Sequence, residues 1–202
     1  MKTKSIIAIG LLVTIAIASL LSGCTGCSKY MKETSTSTID YKLGSNEAQV
    51  IFMRSSTLYL ALNPTVFEIY NEGEKLVGIV PARKKVAYRT SPGEHMFMVV
   101  GRRAEFMRAN LAGGKTYYAL LPPRVGTWGG GFYLKPVSKN ELNSDDVKDC
   151  LNECEVVENT EYSFWWAKDN APSIRSKRQE YMKEWNEKAE EEKPALNADD
   201  GV

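Results

Sequence analysis

Short apolar runs separated by turn residues occupy the middle of the chain. From residue 48 to residue 138 the runs are rich in Val, Ile, Phe and Tyr, and the segments between them are rich in Gly, Pro and charged residues. β-branched and aromatic residues favour strands, and turn signals at this spacing favour short connections between antiparallel neighbours. Examples of the runs are AQVIFM, TVFEIY, KLVGIV, HMFMVVG and TYYALL. The pattern predicts an antiparallel sandwich or barrel with a single compact core.

Helical periodicity replaces the short runs after residue 138. The segment SDDVKDCLNEC has acidic residues in its first turn and apolar or cysteine side chains at helical spacing, which predicts a short helix. Residues 172–194 predict a long helix with a proline at each end and a narrow apolar stripe. We expect residues 195–202 to be frayed. Residues 139–202 are therefore interpreted as an acidic helical C-terminal extension.

The charges of the long predicted helix oppose its dipole. Basic residues stand near its start and Glu190, Glu191 and Glu192 at its end, each unfavourable by up to about 1 kcal/mol. The helix therefore needs contacts outside its own sequence. We predict that Tyr181 and Trp185 pack on the β region or on a partner, with the acidic end near basic residues of the β region. A solvated helix that projects away from the β region is the alternative.

The first residues of the chain have the pattern of a secretory signal peptide. Two lysines, Lys2 and Lys4, precede an apolar stretch from Ile6 to Leu21. A basic start, an apolar run and small residues before a break are typical of such peptides. The apolar stretch is too short for a comfortable transmembrane span, which needs about 20 apolar residues.

The end of this stretch, Leu21-Ser22-Gly23-Cys24, resembles the lipobox of bacterial lipoproteins. The resemblance implies a signal peptide over 1–23, cleavage before Cys24, a diacylglycerol thioether on its sulfur and acylation of the new amine. Several acyl chains anchor a protein stably. Thr25, by resemblance to enterobacterial sorting, implies the outer membrane with the protein facing the periplasm. A plain signal peptide followed by a chance cysteine is the alternative.

The serine-, threonine- and lysine-rich residues 24–47 are expected to form a lipidated flexible tether. Cys27 within it is either free or in an intermolecular bond. Cys150 and Cys154 stand four residues apart on one predicted helix face, as a helix-end disulfide or as a pair of half-buried thiols. We expect no metal site, because the single histidine is far from these cysteines in sequence.

Two phrases of the β region, YRTSPGEHMFMVV and NLAGGKTYYALL, carry a family resemblance. They are similar to uncharacterised bacterial outer-membrane-type lipoproteins whose globular part is a domain of unknown function related to PEGA-type modules. The resemblance covers roughly residues 48–138 and implies an antiparallel, PEGA-like or Ig-like β-sandwich. It brings no catalytic motif and no cofactor. The acidic C-terminal extension departs from the simplest members of the family.

The sequence offers little catalytic chemistry. His95 is the single histidine, and it stands among apolar strand residues, so we interpret it as a hydrogen-bonded structural residue. The chain has no G-x-S-x-G, H-E-x-x-H or G-x-x-x-x-G-K-[ST] motif. We expect a protein that is not an enzyme and that binds no cofactor. A cell-wall glycan or peptidoglycan hydrolase, or its accessory module, is the alternative, and it needs two carboxylates on opposing walls of a cleft.

Charge is unevenly distributed along the chain. Residues 48–138 contain 12 basic and 5 acidic residues, a net charge of +7, whereas residues 139–202 contain 9 and 17, a net charge of −8. The concentrated basic residues are solvated turns or a surface for an anionic envelope polymer or acidic protein segment. This cationic set is Arg83, Lys84, Lys85, Arg89, Arg102, Arg103 and Arg108. For an exported, membrane-anchored chain we expect no nucleic-acid partner, and a binding or scaffolding role in the periplasm.

Overall fold

Strands make up most of the regular structure of the protein, whose computed structural model describes residues 29–34, 39, 42–58, 62–71, 73–124 and 131–202. The predicted signal peptide, Cys24 and Cys27 lie outside these ranges. None of the helices within them is long and apolar enough to cross a bilayer. The mainly β character predicted from the sequence is confirmed.

Thirteen described strands and three α-helices follow one another along the chain. The strands are β1 (Met31–Glu33), β2 (Ala48–Arg54), β3 (Thr65–Tyr70), β4 (Gly73–Ile79), β5 (Lys84–Thr90), β6 (Gly93–Val100), β7 (Ala104–Leu111), β8 (Thr116–Leu120), β9 (Pro123–Arg124), β10 (Gly131–Phe132), β11 (Lys135–Val137), β12 (Glu155–Asn159) and β13 (Ala195–Leu196). The helices are α1 (Asp145–Glu153), α2 (Glu161–Asp169) and α3 (Ala171–Glu187), and short 3-10 helices span Lys139–Asn143 and Glu190–Glu192.

The strands form two large mixed sheets and one small hairpin. A six-stranded sheet has the order β1-β12-β5-β2-β8-β11, a five-stranded sheet has the order β13-β7-β6-β3-β4, and β9 pairs with β10. The prediction of purely antiparallel sheets was wrong, because β2–β8, β5–β12 and β7–β13 are parallel pairs. A tight hairpin makes sequence neighbours antiparallel, whereas strands from distant segments can pair in either direction.

The two large sheets share one hydrophobic core. Val50 and Phe52 of β2 lie in the same buried cluster as Val66 of β3 and Phe97 of β6. The Phe52 and Phe97 rings meet edge to face with centroids 5.1 Å apart. Alternation along each strand sends every second side chain into this core. The core thus joins strands that are far apart in sequence.

Strand β2 is buried on both faces, as its nearly continuous apolar sequence AQVIFMR requires. One face lies in the shared core. On the opposite face, Ile51 and Met53 pack with Val147 and Cys150 of α1. The short helix predicted from SDDVKDCLNEC therefore exists and covers the central strand of the six-stranded sheet.

The N- and C-terminal regions contribute strands that the sequence pattern did not predict. Met31–Glu33, within the predicted tether, pairs with β12, which itself lies within the predicted helical extension. The last residues are not frayed, because Thr116 and Val202 exchange two backbone hydrogen bonds of 2.7 and 3.0 Å. Two- to five-residue strands are too short to show a periodic pattern, and their pairing depends on an edge supplied elsewhere in the fold.

Helix α3 packs across the face of the five-stranded sheet that points away from the shared core. Ile174 and Trp185 are buried there, and the Trp185 ring centroid lies 5.9 Å from that of Phe106 on β7. One turn after Ile174, on the same side of the helix, Arg178 forms an ion pair of 3.0 Å with Glu74 of β4. The predicted packing of the long helix on the β region is confirmed, and the projecting alternative was wrong.

Candidate functional site

The most strongly interacting polar cluster is centred on Glu68, whose side chain is 1% exposed. His95 of β6 places Nδ1 at 2.5 Å from Glu68 Oε1. The hydroxyl groups of Tyr70 and Tyr88 both donate to Glu68 Oε2. Tyr88 belongs to β5, so the carboxylate connects the two large sheets at one end of their shared core.

The electrostatics of this cluster favour a charged pair. Burial by itself raises the pKa of Glu68, but hydrogen bonds from His95, Tyr70 and Tyr88 outweigh burial and hold the pKa below its usual value. The hydrogen bond to Glu68 raises the pKa of His95 in spite of partial burial. Burial and the neighbouring carboxylate raise the pKa of Tyr88 far above its usual value. These directions favour an ionised Glu68, a protonated His95 and a neutral Tyr88.

This arrangement fixes the chemistry open to His95. Its Nε2 lies 2.9 Å from the Ser91 carbonyl oxygen, and its ring stacks on Phe97 at 6.1 Å between centroids. As an imidazolium, His95 donates from both nitrogens and has no lone pair for accepting a proton or binding a metal. The cluster can therefore hold the two sheets together through contacts from both nitrogens of His95.

An open groove of about 640 Å³ lies beside this cluster. Strands β3, β6, β7 and β13 supply its lining, which combines apolar, amide and charged side chains. Ligand sites in proteins commonly have volumes of about 300–1,000 Å³ and a few polar groups on an apolar floor. The lining includes Glu68, Tyr70 and His95 of the cluster, together with Ile69, Glu94, Met96, Arg108, Asn110 and Asn197.

Arg108 contributes a guanidinium group to the groove lining. It forms an ion pair of 2.7 Å with Glu190, which belongs to the acidic 3-10 helix after α3. Both side chains are largely exposed, at 42% and 64%. An exposed pair of this kind contributes little stability, so another anion can compete with Glu190 for the guanidinium.

The first two residues of the predicted cationic set, Arg83 and Lys84, form ion pairs within the protein. Lys84 forms an ion pair of 2.7 Å with Glu33 and a second one with Glu155. Arg83 lies 3.5 Å from Glu153. The carboxylates of Glu153 and Glu155, both from the C-terminal region, reach the start of β5 because β12 pairs with β5 there. The basic and acidic parts of the sequence neutralise each other at this place.

The other members of the set lie elsewhere in the fold. Lys85 is 5% exposed and donates to the Leu151 carbonyl oxygen at 2.6 Å, so it is not a surface residue. Arg103 pairs with Glu184 of α3 at 2.5 Å. The remaining members are Arg89 on β5, Arg102 in the turn after β6, and Arg108 on β7. Strand β5 belongs to the six-stranded sheet and β7 to the five-stranded sheet, so the set is divided between the two sheets. The surface for an anionic partner stays a prediction.

Cys150 and Cys154 form a disulfide, with their Cα atoms 4.7 Å apart. Both residues are buried against Ile51 and Met53 of β2. The bond closes the last turn of α1, where the chain leaves the helix for β12. Among the described residues, no group of three or more His, Cys, Asp or Glu side chains is arranged to hold a metal ion.

The sequence pattern indicated His95 as a hydrogen-bonded strand residue but did not indicate its partners. Glu68 and Tyr70 alternate with apolar residues in TVFEIY, and this alternation was a signal that both share the inward face with Val66. A glutamate at an inward strand position needs donors. The strand that supplies these donors depends on how the two sheets pack, so nothing in the sequence indicated Tyr88 as a partner of Glu68.

No protein-family model matches this chain, and no curated protein matches it either.

Proposed function

We propose that this protein is a lipid-anchored protein of the bacterial envelope, held in the outer membrane and facing the periplasm, with a non-enzymatic binding or scaffolding role. The lipobox-like Leu21-Ser22-Gly23-Cys24 after a signal-peptide pattern is the observation that carries the proposal. Lys29, the first described residue, follows Cys24 by only five positions. A lipidated Cys24 therefore holds the β unit at the bilayer.

We also propose that the two large sheets form a PEGA-like sandwich. A core shared by both sheets supports this identity. The turns within YRTSPGEHMFMVV and NLAGGKTYYALL also support it. Gly93 and Gly114 in these turns have φ of 126° and 76°, values that favour glycine. The parallel edge strand β13 is a departure that the resemblance does not cover.

The geometry of the only histidine supports a non-enzymatic role. Both nitrogens of His95 are used in hydrogen bonds, and the Glu68 carboxylate is buried under three donors. Glu68 and His95 stabilise each other's charge, which gives the pair a role in holding the two sheets together.

The groove that contains Arg108 is the proposed binding surface. Its amide and carboxylate groups suit polar ligands, and its apolar residues Ile69 and Met96 give contact area. An anionic group of an envelope polymer or protein replaces Glu190 on the Arg108 guanidinium in this proposal. Guanidinium groups bind carboxylates and phosphates through paired hydrogen bonds, which favours that ligand chemistry.

Changing the lipid attachment residue tests the anchor. The wild-type protein should fractionate with the outer membrane, and its N-terminal peptide should carry the mass of diacylglycerol and an acyl chain. Cys24→Ala should accumulate as an uncleaved precursor, because lipidation precedes cleavage in the pathway that the motif resembles. An unlipidated wild-type protein in the soluble fraction would contradict the proposal.

Sedimentation with purified envelope polymers tests the binding role. Wild-type protein should sediment with lipopolysaccharide or with peptidoglycan carrying anionic polymers, and Arg108→Gln should reduce the bound fraction several-fold. Arg103→Gln is the matched control, because it also breaks an exposed ion pair with the C-terminal region but lies outside the groove. Equal binding by both variants rejects the groove, and release of soluble muropeptides favours the hydrolase alternative.

A further inference from the structure

Helix α2 exposes three large aromatic side chains, of which Tyr162 and Trp165 lie three residues apart on the same side. Tyr162, Phe164 and Trp165 are 51%, 53% and 57% exposed. The Tyr162 and Trp165 rings meet edge to face with centroids 5.3 Å apart. We call these three residues the aromatic patch. Exposed aromatic side chains clustered on one short helix of a folded domain favour a contact with another surface.

The inner side of the same helix fixes the orientation of the patch. Ser163 is fully buried and its hydroxyl donates to the Thr160 carbonyl oxygen at 2.7 Å. Trp166 packs against the shared core and makes an edge contact with Tyr30 at 6.5 Å between ring centroids. The helix therefore cannot rotate to bury the patch without exposing Trp166. The aromatic side chains are held outward by the packing of the fold.

The patch lies where the chain enters the fold from the predicted anchor. The Thr160 hydroxyl donates to the Lys29 carbonyl oxygen at 2.7 Å, and the Thr160 amide donates to that of Tyr30 at 3.1 Å. The Lys29 ammonium lies 5.9 Å from the Tyr162 ring centroid. The start of α2 is thus bonded to the first described residues of the chain.

Chain length keeps this region close to the membrane. Five residues separate Lys29 from Cys24, and a fully extended chain advances by at most about 3.6 Å per residue, or about 18 Å in all. The headgroup region of one leaflet is about 5–8 Å thick. A lipidated Cys24 therefore keeps Lys29 and the adjoining start of α2 within a short distance of the headgroups. Tethering of this kind gives a weak contact a high effective concentration.

We propose that the aromatic patch is a membrane-contact surface that lies in the interfacial region of the leaflet holding the Cys24 lipids; this inference rests on the proposed lipid anchor. Tyr and Trp are enriched at this depth, because their rings are apolar and their polar groups face water. The Lys29 ammonium meets lipid phosphate beside them. Two attachments, the lipid and the patch, orient the β unit relative to the bilayer.

Tryptophan quenching in vesicles tests the contact on the full lipidated protein. The vesicles contain phosphatidylethanolamine and phosphatidylglycerol, with or without bromine on the acyl chains. Brominated lipid should quench part of the wild-type emission, and Trp165→Phe should lose that part. Trp185→Phe is the matched control, because Trp185 is 4% exposed and packs inside the protein; it should keep the quenched part.

Equal quenching of the wild type and Trp165→Phe overturns the membrane contact. A second outcome also overturns the membrane contact. If Trp165 is shielded from solvent in a way that depends on protein concentration, and bromine does not quench it, the patch contacts a second copy of the protein. The mass of the N-terminal peptide in the same sample separates the two proposals. Lipid mass without quenching rejects the patch alone, and absence of lipid mass rejects the anchor and the patch together.

Discussion

The carboxylate of Glu68 on β3 and the imidazole of His95 on β6 lie 2.5 Å apart in the interior of the protein. Tyr88 donates to the same carboxylate from the opposite sheet. One buried anion is thus shared by two sheets, and its charge is matched by the only histidine in the chain. The stability of this end of the core depends on that anion being present.

Replacing the anion should destabilise the fold strongly. Glu68→Gln removes the charge that His95 and both tyrosine hydroxyls face, and breaking a buried pair on one side costs about 3–5 kcal/mol. Urea unfolding should show this as a lower midpoint. Glu94→Gln is the control, because Glu94 is an exposed acid on the neighbouring strand, and it should change stability by less than about 0.5 kcal/mol. Similar losses in both variants would contradict the structural role of Glu68.

Stability should depend on pH in two opposite ways. The pKa of His95 is raised above 6.5, so its contribution is complete below pH 6.5 and is lost as pH rises through the folded-state pKa. The pKa of Glu68 is lowered below 4.5, so its contribution is complete above pH 4.5 and is lost as pH falls through the folded-state pKa. The unfolding free energy should therefore be highest between these limits.

The loss of stability as pH rises should come from His95, the only histidine of the chain. His95→Gln should be less stable than the wild type below pH 6.5, and its unfolding free energy should change little between neutral pH and about pH 8, where no other ordinary side chain except cysteine begins to titrate. Urea midpoints across the pH range provide the measurement. A variant profile parallel to that of the wild type would show that His95 is not the titrating group.

The docking of α3 should depend on one tryptophan. Trp185→Ala removes a ring that is 4% exposed and packs on Phe106, and such truncations cost about 3–5 kcal/mol. Hydrogen exchange over 172–187 should accelerate in this variant. Trp165→Ala is the matched control, because its ring is 57% exposed, and it should cost less than about 0.5 kcal/mol. Slow exchange in Trp185→Ala would show that other contacts hold the helix.

The disulfide should contribute a modest, measurable stability. A bond between Cys150 and Cys154 closes a short loop, for which the loss of unfolded-state entropy corresponds to about 2 kcal/mol. Replacing both residues with alanine should lower the unfolding free energy by that order. Reductant should destabilise the wild type to a similar extent and leave the double variant unchanged. An effect of reductant on the double variant would point to Cys27 instead.

The periodic pattern of apolar and polar residues predicted the strands and helices that are long enough to show it. The alternating and apolar runs became β2 to β8, and the periodic segments became α1 and α3. The short strands β1, β12 and β13 could not be predicted in this way. Each of them forms because a distant strand offers an unpaired edge, and that edge exists only in the folded protein.

The sequence by itself determined the lipobox-like pattern near the N-terminus, the excess of positive charge in residues 48–138 and the excess of negative charge in residues 139–202. It also required an external support for a helix whose charges oppose its dipole. Tertiary structure decided which charges meet: Lys84 faces Glu155, and Arg108 faces Glu190, across separations that no local pattern encodes. It likewise brought Tyr88 to Glu68, because a buried carboxylate takes its donors from whichever strand the core packing places beside it.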